Sequence, residues 1–207
     1  MTNRRLFLGA ALASFALVAC DSKTETPAPK SQTPATAYQK NMPEVPTDWD
    51  AERMYTEFME SAEGVHFPGP AGRPMAFIVF DTQCSYCLRM LDQTMPLKDK
   101  IDFVWVPVAL LNPHSEPQAA AILSGLNRVE MFERHHAQFS NQPVRGIDTE
   151  NMIIPFDKRQ AVWTNTRIFR LTGGREVPFG VMKDKDGNFH PILSGMKTSD
   201  LEKLFGL

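Results

Sequence analysis

Apolar runs of strand length predict the sheet of this protein. Residues 75–80 are continuously apolar, which indicates a strand buried on both faces, and residues 101–110 predict a second buried strand. Residues 179–182 and 189–193 flank the dipeptide Asp186-Gly187, a turn sequence that favours a β-hairpin.

Helical spacing of apolar residues predicts the remaining elements. The Gly- and Pro-rich residues 64–74 break the first helix. The order strand, helix, strand, several helices, hairpin and helix predicts an α/β domain with a mixed sheet. The predicted helices are residues 49–62 with Asp48 as N-cap, a helix from Cys84 through Met95, one from Ser115 with Pro117 in its first turn, 129–139, 157–171 closed by Gly173-Gly174, and one capped by Ser199.

The first twenty residues have the pattern of an export signal. Arg4 and Arg5 precede an apolar stretch, residues 6–19, that is shorter than the roughly 20 residues needed to span a bilayer. This pattern predicts a signal peptide over residues 1–19. Residues 17–20, Leu-Val-Ala-Cys, resemble a bacterial lipobox, which implies that Cys20 is lipidated and becomes the mature N-terminus. The alternative is an ordinary signal peptide that has a cysteine there by chance.

The export route and the membrane stay open at this point. Arg4-Arg5 resembles the twin-arginine consensus, although paired arginines also occur in ordinary signal peptides. Asp21 resembles the signal that retains lipoproteins in the inner membrane of enterobacteria. We therefore expect a lipid-anchored protein on the periplasmic side of the inner membrane, with the outer membrane as the alternative. Disulfides can form and persist in that compartment.

Composition separates a linker from a compact domain. Residues 21–47 are rich in Pro, Ser and Thr and poor in large aliphatic residues, which predicts a disordered linker. Residues 48–207 are then one domain. The 207-residue chain is 43% hydrophobic with a net charge of −2, which excludes global disorder and argues against a nucleic-acid partner.

The two cysteines left after lipidation of Cys20 carry the candidate chemistry. In the segment Cys84-Ser85-Tyr86-Cys87, a strand leads into the start of a helix, where the N–H groups and the helix dipole favour a thiolate at Cys84. The thiolate is the attacking species in thiol–disulfide exchange. Cys87 lies one helical turn further on and is the predicted resolving thiol. The redox carrier is then the Cys84–Cys87 pair, and no other cofactor is expected.

A zinc half-site is the competing interpretation of this segment. A tetrahedral site needs two more Cys or His ligands. His135 and His136 are the only paired histidines, but adjacent helical residues point in different directions. We expect both on a solvated face beside Glu133 and Arg134, and no metal site.

Residues 80–87 resemble the active-site strand and loop of periplasmic thiol:disulfide interchange proteins of the DsbC/DsbG type, with Asp81 three residues before the first cysteine and Tyr86 before the second. Residues 174–181 resemble the cis-proline loop of thioredoxin-fold proteins, which implies that Val177 precedes a cis Pro178 and that both position the substrate backbone. The resemblance covers residues 75–207 and implies a thioredoxin-like fold with a helical insertion between the CxxC half and the cis-proline half. Asp81 then shapes the loop or transfers protons; a plain turn-forming role is at least as plausible.

The sequence departs from this pattern in two respects. Ser85 replaces the usual proline or glycine and Tyr86 supplies no positive charge, so we expect Cys84 to be less acidic than in the strongest oxidases. The DsbC/DsbG proteins also carry an N-terminal dimerisation domain. The sequence between Cys20 and Met75 leaves no room for it, so we expect a monomer.

The resemblance implies an enzyme, a thiol–disulfide oxidoreductase acting on the cysteines of exported proteins. It favours a reductase or isomerase-like role with a DsbD-like electron donor over an oxidase served by a DsbB-like partner. The alternative is a lipid-anchored thioredoxin-fold copper metallochaperone or respiratory-complex assembly factor. Such proteins have wider cysteine spacing and a downstream histidine ligand, for which His190 is the only candidate. A further alternative is an inert lipoprotein domain in which a disulfide between the two cysteines only stabilises a loop.

Overall fold

The computed structural model describes residues 43–141 and 143–207. The predicted signal peptide, Cys20 and most of the predicted linker lie outside these residues. The described strands form one mixed sheet in the order β1-β3-β2-β4-β5, in which β2 and β3 are parallel and the other pairs antiparallel. The predicted α/β class is confirmed. The strands are β1 (Val65–Phe67), β2 (Met75–Asp81), β3 (Asp102–Val108), β4 (Phe179–Lys183) and β5 (Phe189–Leu193).

Six α-helices occur among the described residues, and three of them separate β3 from β4 in the chain. These three are the predicted helical insertion. Within the described residues, no helix is both long enough and apolar enough to cross a bilayer. The helices are α1 (Ala51–Ser61), α2 (Ser85–Thr94), α3 (Ser115–Ser124), α4 (Arg128–Ala137), α5 (Phe156–Leu171) and α6 (Thr198–Phe205).

The central strand β2 is buried on both faces, as its continuous apolar sequence predicts. Phe77 packs with Phe58 of α1 at a ring-centroid distance of 5.6 Å. Phe80 packs with Trp105 of β3 at 5.8 Å and with Phe132 of α4 at 4.6 Å. Phe77, Phe80 and Phe103 are all buried in the core. This packing fixes the end of β2, from which the CxxC segment continues.

The sequence-based predictions of two helix starts are wrong, and one strand was not predicted. Asp50, not Asp48, caps α1, because its carboxylate accepts from the N–H of Arg53 at 3.0 Å. The last helix begins at Thr198 with Lys197 at the N-cap, so the prediction of Ser199 as its cap is wrong. Strand β1 lies inside the Gly- and Pro-rich segment, and its three residues are too few to show a period.

The prediction that His135 lies on a solvated face is also wrong. Phe132 and His135 are three residues apart on α4, so they share the helix face that packs on the sheet. His135 is 1% exposed. His136 is half-buried and lies beside Asp92, 3.4 Å from its carboxylate. The charged neighbours in the sequence therefore indicated the environment of only one histidine of the pair.

Residues 43–50, which we name the N-terminal strap, run beside the start of β4. The indole of Trp49 packs edge-on against Phe179 with ring centroids 5.4 Å apart. The N–H of Asp50 donates to the carbonyl of Thr172 at 3.0 Å. Gly173, with φ of +90°, permits this approach, because a Cβ there would lie 2.6 Å from the carbonyl oxygen of Asp48. The strap is therefore fastened to the domain at several points.

Candidate active site

Cys84 occupies the N-cap of α2, directly after the loop that follows β2. Its Sγ accepts a hydrogen bond from the N–H of Cys87 at 3.2 Å, and the thiol donates to the carbonyl oxygen of Val177 at 3.4 Å. The pKa of Cys84 is lowered, first by a hydrogen bond from the Cys87 side chain and then by the backbone N–H groups of Cys87 and Tyr86. These contacts outweigh the opposing effect of burial.

Cys87 has the opposite electrostatic environment. It is 2% exposed, and burial raises the pKa of its thiol well above the ordinary value, with the neighbouring Cys84 raising it further. The two sulfurs are not joined in a disulfide in this structure. The pair therefore combines one sulfur that ionises readily with one that keeps its proton.

The loop before β4 brings a second element to Cys84. The Val177–Pro178 peptide bond is cis, as the resemblance implied. Val177 supplies the carbonyl that contacts Cys84, although the two residues are 93 positions apart in the chain. The CxxC segment and the cis-proline loop thus meet at one sulfur atom.

Asp81, the last residue of β2, organises the loop that precedes Cys84. It is 1% exposed. Its Oδ1 accepts from the N–H of Gln83 at 2.8 Å and from the hydroxyl of Ser115 at 2.7 Å. Its Oδ2 accepts from the N–H groups of Leu110 and Leu111 at 2.7 and 3.0 Å. Four donors on one carboxylate are the arrangement expected of a residue that fixes a loop.

Thr82 and Gln83 bind the helical insertion. The hydroxyl of Thr82 donates to the carbonyl of Ser115 at 3.2 Å. The Gln83 amide donates to the Gln118 side chain at 2.6 Å, and both amides donate to the carbonyl of Arg145. We name Ser115, Gln118 and His135 the insertion clamp. Sequence analysis missed Gln118 and the clamping role of Ser115, because nothing local distinguishes these polar residues from solvated ones.

His135 completes the insertion clamp. Its Nε2 lies 2.8 Å from the carbonyl oxygen of Thr82, and its Nδ1 accepts from the N–H of Ile147 at 3.3 Å. An accepting Nδ1 and a donating Nε2 describe a neutral imidazole. Burial lowers its pKa, which favours the same form. The spacing of Val129, Phe132 and His135 on α4 is the signal that could have placed this histidine on the inner face.

Ser85 and Tyr86, between the two cysteines, face outward. Tyr86 is 58% exposed, and the guanidinium of Arg89 lies over its ring at 4.8 Å from the centroid. Tyr86 carries no charge, as the sequence analysis noted, but its ring holds a cation from the next turn of α2. The outer face of the CxxC segment is therefore aromatic and positively charged.

Two cavities flank the site. One, of about 370 Å³, contains Cys84 and lies toward Leu110, Leu111 and Arg170. The other, of about 570 Å³, lies toward the N-terminal strap and the end of β5. Both cavities are lined by Tyr86, Arg175, Glu176 and Val177.

His190 lies away from the cysteines. Strand register places it opposite Met182, which is opposite Ala76 near the start of β2, whereas Cys84 follows the end of that strand. Its Nε2 contacts the carboxylate of Asp184 at 2.8 Å. Across residues 43–141 and 143–207, no three His, Cys, Asp or Glu side chains lie close enough together to hold a metal ion. His190 is therefore not placed beside Cys84 and Cys87, where the downstream histidine ligand of a copper metallochaperone would lie.

Solved structures with a similar fold come from bacterial thiol proteins. A periplasmic thioredoxin-like protein from Salmonella enterica serovar Typhimurium matches with a TM-score of 0.58 and 14% identity, over 74% of this chain and 94% of that chain. DsbG from Helicobacter pylori matches with a TM-score of 0.52 and 21% identity, over 63% and 61%. The thiol-disulfide exchange protein alpha-DsbA2 from Wolbachia pipientis matches with a TM-score of 0.56 and 16% identity, over 75% and 94%.

These likenesses establish a thioredoxin-like fold for the described part of the chain. No protein-family model and no curated protein sequence matches it. The mixed sheet, the CxxC segment at the start of α2 and the cis-proline loop before β4 are the parts that the sequence analysis expected of this fold.

Proposed function

We propose that the protein is a thiol–disulfide oxidoreductase that acts on the cysteines of exported proteins. The observation that carries this proposal is the position of Cys84. Its sulfur lies at the N-terminus of α2, next to the carbonyl of Val177, and its pKa is lowered by hydrogen bonds from the side chain of the buried Cys87 and from the backbone N–H groups of Cys87 and Tyr86. A nucleophilic thiolate paired with a shielded second thiol is what two-step disulfide exchange requires.

The reaction transfers two electrons from the cysteine pair to a substrate disulfide. The Cys84 thiolate attacks one sulfur of that disulfide, forms a mixed disulfide and releases the other sulfur as a thiolate. Cys87 then loses its proton and attacks Cys84 Sγ. The Cys84–Cys87 disulfide forms and the second substrate thiol leaves. The same steps in reverse oxidise a substrate dithiol.

Reduction is the direction we propose, in a reductase or isomerase-like enzyme of the DsbC/DsbG type. The resemblance of residues 80–87 to that type supports it, together with the structural likeness to a DsbG. A DsbD-like membrane protein would return electrons to the pair. We place the protein on the periplasmic side of the inner membrane with a lipid anchor, on the basis of Asp21 and of residues 17–20, which resemble a lipobox. We propose a monomer because the sequence between Cys20 and Met75 leaves no room for the dimerisation domain of the DsbC/DsbG type.

Trapping the thiols of the full chain in intact cells tests both the chemistry and its direction. Cells are quenched with acid and treated with an alkylating mass tag, and the states of Cys84 and Cys87 are read from the mass shift. We expect both thiols to be mostly reduced. An oxidised pair that becomes reduced when a DsbB-like partner is deleted would instead identify a donor of disulfides.

Single-cysteine variants separate the two sulfurs. Cys87→Ser should accumulate mixed disulfides with exported proteins, because nothing resolves them, whereas Cys84→Ser should form none. Equal adduct formation by both variants would contradict the proposed roles.

Cys20→Ser in the same cells tests the anchor: we expect that variant in the soluble periplasmic fraction and the parent chain in the membrane fraction.

A further inference from the structure

We propose that the N-terminal strap forms one wall of a substrate subsite that takes an apolar side chain next to the substrate's reacting cysteine. This inference rests on the proposed function and adds the class of substrate to it. The subsite is the cavity of about 570 Å³ beside the cis-proline loop, a volume within the usual range of ligand pockets.

The position of the cavity relates it to Cys84. It shares Tyr86 and Val177 with the smaller cavity that contains the Cys84 sulfur. Successive residues of an extended peptide are about 3.3 Å apart. A peptide whose cysteine reaches Cys84 therefore places a neighbouring residue over Val177 and Pro178, at the mouth of the larger cavity.

The lining of the cavity defines the chemistry of the side chain that fits it. Of its charged lining residues, Glu44 and Glu176 are exposed, and Arg175 is paired with Asp48. The remaining walls offer apolar surface and few hydrogen-bonding side chains, which favours leucine, methionine or phenylalanine over a charged residue. The apolar lining consists of Pro43, Pro46, Val177, Pro178, Phe179 and Leu193.

The wall that the strap contributes is held in place. Trp49 anchors it on Phe179, and the N–H of Trp49 donates to the carbonyl of Pro46 at 3.0 Å. The two prolines have restricted backbone angles, so little conformational entropy is lost when a ligand packs on them. An unfolded exported protein presents cysteines beside exposed apolar residues, and such extended segments are the substrates that this groove fits.

The test compares second-order rate constants for the oxidation of the reduced full chain, purified in detergent, by peptide disulfides. Two otherwise identical peptides carry either leucine or serine on each side of the cysteine. The variant Pro43→Ser/Pro46→Ser alters the strap wall. The matched control, Pro68→Ser/Pro70→Ser, makes the same change at exposed prolines that line neither cavity. A small disulfide without peptide flanks measures the reactivity of Cys84 alone.

We expect the parent chain and the control to react with the leucine peptide about tenfold faster than with the serine peptide, the order that burial of an apolar side chain provides. The strap variant should lose most of this preference and react normally with the small disulfide. Equal rates for both peptides in the parent chain would overturn the subsite. So would a strap variant that speeds up every peptide alike, because the strap would then be a cover. Absence of any Cys84-dependent reaction would overturn the proposed function itself.

Discussion

The two loops that meet at Cys84 are held in contrasting ways. The loop at Asp81, Thr82 and Gln83 is buried, and its side chains bind the insertion clamp. The loop at Arg175 and Glu176 is exposed, and it is tied to the strap by an ion pair between Arg175 and Asp48 whose side chains are 47% and 60% exposed.

This difference separates the chemistry of the site from its recognition surface. Buried hydrogen bonds are expensive to lose, so they hold the thiol of Cys84 in one geometry. Exposed ion pairs contribute little and are screened by salt, so a substrate can displace them. The first loop fixes the nucleophile, whereas the second is held only by weak, exposed contacts at the edge of the adjoining groove.

The largest effect is expected at Asp81. Asp81→Ala leaves four donors without their acceptor, and the free energy of unfolding should fall by about 3 kcal/mol or more. Asp48→Ala makes the same change in the strap, where we expect a loss of about 1 kcal/mol or less. Urea unfolding of both variants measures the difference. Similar losses would remove the contrast between the loops.

The second effect is expected at Gly146, which makes room for His135. Gly146 has φ of +78°, and a Cβ there would lie 2.1 Å from the imidazole Cε1. Gly146→Ala should therefore lower the free energy of unfolding by about 2 kcal/mol more than Gly72→Ala does. Gly72 has a similar φ of +79°, but no atom lies within 4 Å of a Cβ built there. The pair shares the backbone strain, so the difference in urea midpoint isolates the displaced imidazole. Equal losses of unfolding free energy in the two variants would show that the insertion clamp tolerates displacement of the His135 imidazole.

The third effect is a pH dependence through His135. Burial lowers its pKa in the folded protein, so the unfolded chain takes up the proton first as pH falls. The stability that neutral His135 contributes is complete above a pH of about 6.5 and is lost progressively below it.

His135→Gln should flatten this pH dependence. His136→Gln, at the adjacent half-exposed residue, should preserve it, because the burial that lowers the pKa of His135 is unchanged. The free energy of unfolding in urea, measured at about pH 7.5 and about pH 5, gives the pH dependence of stability for the parent chain and for each variant. A parent chain that is equally stable at both values would contradict a buried neutral imidazole.

The smallest effect is expected at Arg175. Arg175→Gln removes the exposed ion pair with Asp48, and we expect a change in unfolding free energy of about 0.5 kcal/mol that disappears at high salt. A loss of several kcal/mol that persists in salt would mean that the second loop is held as firmly as the first.

The parts that sequence predicted well are those encoded by neighbouring residues. Four consecutive residues specify the CxxC segment and its helix start, and the apolar run before it specifies β2. The insertion clamp depends on distant residues instead: Gln83 meets Gln118 and Arg145 across 35 and 62 positions. No local period encodes such contacts. His135 is a different case: the local spacing of Phe132 and His135 indicates the inner face of α4, where Phe132 packs on Phe80, whereas the charged residues beside His135 suggest a solvated face.

The burial of Cys87 has a consequence for the lifetime of covalent complexes. A mixed disulfide on Cys84 persists until Cys87 gives up a proton that burial makes it retain. The second step therefore quickens as pH rises, while the first depends on Cys84, whose pKa is lowered. In the proposed reaction, one shielded proton therefore sets the interval for which the protein stays bonded to its substrate.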